Sequence, residues 1–253
     1  MARRFTHYIV LLCILSLSVS ASPSLSKEDI LKKILEKAKE NEKLSDQFGF
    51  HQTTMIKKMD DGKIKSEDLK EYRLIWIENQ PFLELLKKNG KELDKSDQKD
   101  QQDRKAEFVK SLGKKVEEDD DITLDDLYTK YDFQALPADA IGQYVFSFKP
   151  KTGDLSDRSR TERILNHVSG KFWADQAFQI VRAEATLMDN VKFGYGIIGN
   201  LQNLQIHYEQ QPFEHVQMPA KLMIYFKAKI AMLKTEERQI QATYSNYYPR
   251  PVK

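Results

Sequence analysis

From Lys171 to Tyr247 the chain is almost continuously β-like, strand-forming runs separated by short turn signals, and this leaves little room for anything but sheet. Leu222, Ile224, Phe226, Ala228, Ile230 and Met232 form one apolar face over eleven residues, while Met223, Tyr225, Lys227 and Lys229 stand on the other. That period of two is the signature of a long half-buried strand in an antiparallel sheet. The spacing predicts strands at Lys171–Ala174, Phe178–Met188, Val191–Ile198, Leu204–Glu209, His215–Met218, Leu222–Leu233 and Arg238–Tyr247. Turns are predicted at Asp175-Gln176, Asp189-Asn190, Gly199-Asn200, Gln211-Pro212 and Lys234-Thr235. So many consecutive hairpins define an α+β fold: one large curved antiparallel sheet or barrel with a few helices on one side.

The first half supplies those helices. Ser26-Lys27-Glu28-Asp29 resembles a capping box, and Ile30, Leu31, Ile34, Leu35 and Ala38 repeat at helical spacing to about Leu44. This is an amphipathic helix that either packs on the core or lies as a lid over a cavity. Phe48–Met59 and Glu71–Gln80 read as strands of a meander around the turn Asp60-Asp61-Gly62-Lys63. Tyr72, Leu74 and Trp76 oppose Arg73, Ile75 and Ile77, and the inner face is left open. Pro81 is predicted to end that strand, and Asn89-Gly90 to make a turn. Asp94–Leu112 is a charged, exposed helix, and Glu117–Asp121 a solvated loop without the spacing of an EF-hand. Ile122–Tyr131 is a short helix, Tyr144, Phe146 and Phe148 alternate along a strand, and Thr161–Val168 is a short helix closed by Gly170.

Arg3 and Arg4, the apolar run Ile9–Leu15 and the small residues Ser18–Ala21 have the form of a secretory signal peptide over residues 1–21. Removing those 21 of 253 residues leaves a length that suits one large domain or two small ones, read here as one domain, 22–253, large enough to build its own core. The only cysteine, Cys13, falls in the leader and lacks the context of a lipoprotein signal, so the mature chain has no disulfide or thiolate chemistry. That pattern suits a periplasm. Without Arg3 and Arg4, 38 basic residues face 38 acidic ones. A neutral balance argues against nucleic acid as partner. No later segment has about 18 consecutive apolar residues, so no transmembrane segment is expected in the mature chain.

No catalytic constellation persuades. There is no Gly-x-Ser-x-Gly elbow and no pair of histidines at zinc-protease spacing. Gly194-Tyr195-Gly196 with Gly199 lacks the context of a dinucleotide fold. His207 and His215 could meet across a hairpin and, with Glu209, make a thin metal site; the alternative is surface strand residues. No cofactor and no enzymatic activity are expected. What remains is a large apolar inner surface, either packed solid or hollow enough for an apolar ligand.

The stretch Gly170-Lys171-Phe172-Trp173-Ala174-Asp175, then Ile180–Glu184, Val191–Gly196, Pro219–Leu222 and Tyr244–Tyr247, resembles the LolA-like group, the outer-membrane lipoprotein-sorting proteins and their relatives. The N-terminal order of helix, hairpin and Asn89–Leu93 is also similar. The resemblance implies an unclosed β-barrel whose concave apolar face is covered by helices, and a periplasmic role in carrying or sensing lipoproteins through their acyl chains. The chain departs from the group in its length, in the charged Asp94–Asp121 region and in having no lipobox. The reading is a periplasmic, non-enzymatic carrier whose partner is the acyl chain of a lipoprotein or lipid. Trp76, Tyr144, Phe146, Phe148, Ile224, Phe226 and Ile230 would line its apolar cavity. The alternative is an envelope protein-interaction or stress-sensing scaffold on the same fold, using Asp94–Leu112 as its contact surface.

Overall fold

The computed structural model describes residues 25–112, 123–153, 159–194, 199–230 and 234–251. The leader, Glu117–Asp121, Gly196 and Met232 lie outside the described residues. Helix α1 (Lys27–Ser45) is followed by strands β1 (Phe48–Asp60), β2 (Lys63–Ile77), β3 (Gln80–Lys88) and β4 (Lys91–Glu92). Helices α2 (Lys95–Ser111) and α3 (Leu124–Lys130) precede β5 (Tyr131–Leu136) and β6 (Tyr144–Pro150). After α4 (Arg160–Leu165) come β7 (Val168–Ala174), β8 (Ile180–Leu187), β9 (Val191–Phe193), β10 (Gly199–Phe213), β11 (Val216–Ile230) and β12 (Lys234–Pro249).

All twelve described strands form one sheet in the order β4-β3-β2-β1-β12-β11-β10-β8-β7-β6-β5, with β9 paired to β10 off this path. Every pairing is antiparallel, and β4 and β5 stand at opposite ends, so the sheet does not close. The expected architecture of one large open antiparallel sheet with a few helices is the one found. The join between β1 and β12, Phe48 opposite Pro249 through Met59 opposite Glu237, brings the chain's two halves together.

Turn chemistry fixes the hairpins. Asp61 and Gly62 hold φ of 46° and 78°, and Asn89 and Gly90 52° and 72°, the left-handed pairs that match strand twist. Glu78 and Asn79 do the same at 48° and 69°, and they end β2 where Pro81 was predicted to. Pro81 instead sits in β3 opposite Trp76, near the start of a strand close to the sheet's edge, where a missing donor is tolerated. Gln211-Pro212 and Gly199-Asn200 are not turns: both lie inside β10, which bends through bulges and turns only at Glu214-His215. Gly170 does not close a helix; it is the third residue of β7.

The faces separate cleanly. One row of cross-strand neighbours runs Ile56, Ile240, Ile224, Ile206, Ala185, Gly170, Phe148 and Phe133 over eight strands. The adjoining row is Thr54, Ala242, Leu222, Tyr208, Ala183, Phe172, Phe146 and Ala135. The opposite face reads Met55, Gln241, Met223, His207, Glu184, Lys171, Ser147 and Gln134. A sheet with one such apolar face tends to cover it, and the helices cover part of this one, leaving Ile56, Ile240, Ile224 and Ile206 half-buried.

Helix α1 begins at an N-cap, Ser26, whose side chain accepts from the Asp29 amide. Its apolar stripe lies on the first face. Ile34, fully buried, packs with Phe146, Phe172 and Ala174, and Ile30 and Leu31 join them. Burying such a side chain contributes about 1.5–3 kcal/mol. Leu44, at the other end of α1, packs with Phe48, Val216 and Met218. Between the two clusters, buried Asn41 pins the helix: Nδ2 donates to Gln217 O at 2.8 Å, and Oδ1 accepts from Gln217 N at 2.7 Å. Asn41→Ala leaves both backbone groups of Gln217 without that partner and is expected to cost about 1–3 kcal/mol in urea unfolding. Asn41→Asp, which keeps the acceptor and loses the donor, distinguishes the two bonds.

Candidate functional site

The first face of the sheet is the candidate site, because helices α1, α3 and α4 all gather there. Tyr128 of α3 stacks on Phe133 with ring centroids 6.0 Å apart. Tyr131 donates its hydroxyl to Leu165 O of α4 at 2.6 Å, and Lys130 pairs with Glu162. Between α1 and α3 a cleft of about 360 Å³ opens onto Leu31, Tyr128, Tyr131, Phe133 and Lys151.

The sequence-predicted residues fall in four places. Tyr144, Phe146 and Phe148 line β6 beneath the first half of α1. Phe146 is buried and stacks on Phe172 at 5.5 Å and 11°; Tyr144 stacks on Phe178 at 5.5 Å, with Lys33 Nζ 5.1 Å above the latter ring. Ile224 and Phe226 stand half-buried on β11, on the same face, in line with Ile206 and Leu204 of β10. The other two stand apart. Trp76 lies at the end of β2 in a cleft of about 300 Å³ with Arg73, Tyr248 and Arg250, whose guanidinium is 5.6 Å from its ring. Ile230 ends β11 and is 46% exposed. Alternation put it on the right face, but the strand runs past the last covering element.

Several residues of the face escaped the sequence reading. Ile56, Ile206 and Ile240 extend the row to β1 because β12 pairs with β1, a contact no local pattern announces. Phe133 was missed because the short alternation Tyr131, Phe133, Ala135, which marks β5, was not read as a strand.

The apolar setting shows in the tyrosines. Burial pushes the Tyr131 and Tyr244 phenols from the ordinary 10.0 up to about 12. Because the folded chain favours their neutral form, this stabilisation is complete below pH 10 and is lost as pH rises through 12. Burial also raises Tyr72, Tyr208, Tyr225, Tyr247 and Tyr248, so a spectrophotometric titration of tyrosinate should be spread upward with Tyr131 and Tyr244 ionising last, and Tyr131→Phe should remove one of those two. Titration of all eleven tyrosines near pH 10 would contradict this.

The opposite face carries polar chemistry of a different kind. His207 lies between Glu209, 2.6 Å from Nε2, and Glu184, 3.3 Å from Nδ1. The hydrogen bond from His207 holds the Glu209 carboxyl below the usual range. His215 is not part of this group. His207 faces Met223 across the hairpin, whereas His215 occupies the turn beside Phe48, 6.1 Å between ring centroids. The two histidines were expected to flank a turn at Gln211-Pro212; the turn lies further on, so they separate. Among the described residues no three His, Cys, Asp or Glu side chains could hold a metal ion. No helix among them is long and apolar enough to cross a membrane.

No protein-family model and no curated protein matches the sequence. Two solved structures are similar along most of their length. One is a LolA superfamily protein from Nitrosomonas europaea, 14% identical, covering 91% of this chain and 96% of its own, with a TM-score of 0.35. The other is a DUF1329 family protein from Desulfovibrio piger, 12% identical, covering 86% of this chain and 92% of its own, with a TM-score of 0.32. The fold assignment rests on the strand order itself.

Proposed function

We propose that the protein is an exported, non-enzymatic carrier for an acyl-bearing ligand, a lipid or the lipid-modified end of a lipoprotein, acting in the periplasm. The observation that supports this reading is the isoleucine row of the helix-bearing face. Ile56, Ile240, Ile224 and Ile206 are adjacent, all apolar and all only half-buried, next to the fully packed Ile34–Phe146–Phe172 cluster. An extended hydrocarbon chain lying along such a row gains about 0.8 kcal/mol for each methylene it buries, with no polar partner required. In this reading Tyr144, Phe148, Ile224 and Phe226 contact the ligand and Phe146 forms the packed floor. Trp76 and Ile230 belong to its two extremities. Helix α1, pinned at Asn41 but with charged residues along its outer side, is the cover.

The reading is tested by uptake of a fluorescent fatty acid, together with native mass spectrometry of protein purified from its host. Ile224→Lys places an ammonium in the middle of the row and is expected to weaken uptake at least tenfold. A filling variant, Ile206→Trp, should do the same without adding charge. A ligand-free mass spectrum with no uptake by the unaltered chain overturns the proposal. The scaffold alternative draws on α2, which has no buried residue and is held through Phe108 on Phe82 and Asp97 on Lys88. Deleting α2 should abolish capture of an envelope partner and leave lipid uptake intact if that alternative holds.

A further inference from the structure

We infer that one end of the sheet, formed by the β1–β2 turn and the adjoining described ends of β9, β10, β11 and β12, docks on the surface of an anionic phospholipid bilayer. These parts are contiguous. The Gly62 amide donates to Glu237 Oε1 at 3.2 Å, Lys227 Nζ reaches Asp61 at 3.4 Å, and Gly199 pairs with Ile230. Two large aliphatic side chains stand out here: Ile64 is 52% exposed and Ile230 46%. Each is flanked by lysine, Ile64 by Lys63 and Lys65, and Ile230 by Lys229.

The charge of this end is one-sided. Residues 57–67, 192–193, 199–200, 227–230 and 234–238 carry nine basic side chains against five acidic ones, in a chain whose whole formal charge is +2. The acids are largely spent on internal pairs: Asp60 with Lys65, Glu67 with Lys57, Glu236 with Lys234 and Arg238, and buried Glu237 with Lys227. Among the described residues Lys58, Lys63, Lys192 and Lys229 make no ion pair. Exposed aliphatic tips, each beside an unpaired lysine (Lys63 for Ile64, Lys229 for Ile230), match a surface whose headgroups are negative and whose interior begins a few ångströms below. A protein partner would more commonly meet a free aromatic or arginine-rich patch, whereas the aromatic and arginine side chains near this end are engaged internally: Arg163 lies over Phe193, Tyr225 bonds to Glu237 and Arg238 pairs with Glu236.

The inference goes beyond the carrier reading and stands without it. It is tested by co-sedimentation of the full chain with phosphatidylcholine vesicles that contain or lack phosphatidylglycerol. The chain is expected to partition onto the phosphatidylglycerol vesicles and to be released by high salt. Replacing Lys58, Lys63 and Lys229 with glutamine should lower that partition about a hundredfold. Ile64→Asp with Ile230→Asp should lower it about tenfold, and all five sites are exposed enough that the circular dichroism spectrum should not change. Equal partition onto both vesicle types, or binding that neither set of changes reduces, overturns the inference. Fatty-acid uptake separates the two proposals: the lysine variant should keep it, and Ile224→Lys should lose it while still sedimenting with the vesicles.

Discussion

Phe146→Ala is expected to remove about 3–5 kcal/mol of folding stability, the largest loss from any single truncation considered. The ring is 3% exposed and is held from three sides. Phe172 stacks on it from β7, Ala135 faces it from β5, and Ile34 of α1 packs with it from above. No neighbour can collapse into the space: Ala135 is too short, and Phe172 and Ile34 are fixed by their own strand and helix. The cost therefore includes both the lost transfer free energy and a cavity. It should appear as a lower midpoint in urea with an unchanged slope. Ile224→Ala, in the half-buried part of the same face, should cost clearly less. A loss below about 1 kcal/mol at Phe146 would mean that α1 is not seated on this cluster.

Gly170→Ala is expected to cost about 3 kcal/mol, at the upper end for overpacking. A methyl group there would lie 2.0 Å from Glu184 O, 2.6 Å from the Phe148 ring and 3.0 Å from Ala185 Cα. The ring could turn, but the carbonyl belongs to the paired strand β8 and cannot withdraw without opening the ladder. Glycine leaves the space into which Phe148 lies across β7, and the small residues Ala183 and Ala185 continue it on β8. Double substitution, Gly170→Ala with Phe148→Leu, should recover only the part of the loss due to the ring. Full recovery would show that the backbone contact does not matter; a neutral Gly170→Ala would show that β7 and β8 are not paired in this register.

These two positions also show how the fold reads from sequence. Alternation of Tyr144, Phe146 and Phe148 marked a strand and its apolar face, and the structure uses that face as read. Gly170 was read as a helix terminator because glycine after a short helix commonly is one. Its actual reason is a ring from β6, which no pattern local to residue 170 contains. Pro81 and Pro212 misled in the same way. Proline suggests a break, yet a strand accepts it where the missing amide has no partner to lose, and that depends on which neighbour lies alongside. Trp76 and Ile230 share the alternating period but stand at the ends of their strands, away from α1.

By itself the sequence determined what short-range physics controls. The period of two made strands, the period near 3.6 made α1 with its Ser26 cap, and Asp61-Gly62 and Asn89-Gly90 made their turns. It also set the amphipathic character of the sheet, because alternate side chains must go to opposite faces. Only the tertiary structure decided the strand order, above all the pairing of β1 with β12 across nearly the whole chain. That pairing aligns Ile56 with Ile240, Ile224 and Ile206 and so creates the continuous apolar row. It also decided which stretch of that row α1 covers, since Asn41 can hold Gln217 only after the sheet has curled both ends of the helix onto their clusters. Such contacts are made by free energy summed over distant segments, and no window of sequence carries that sum.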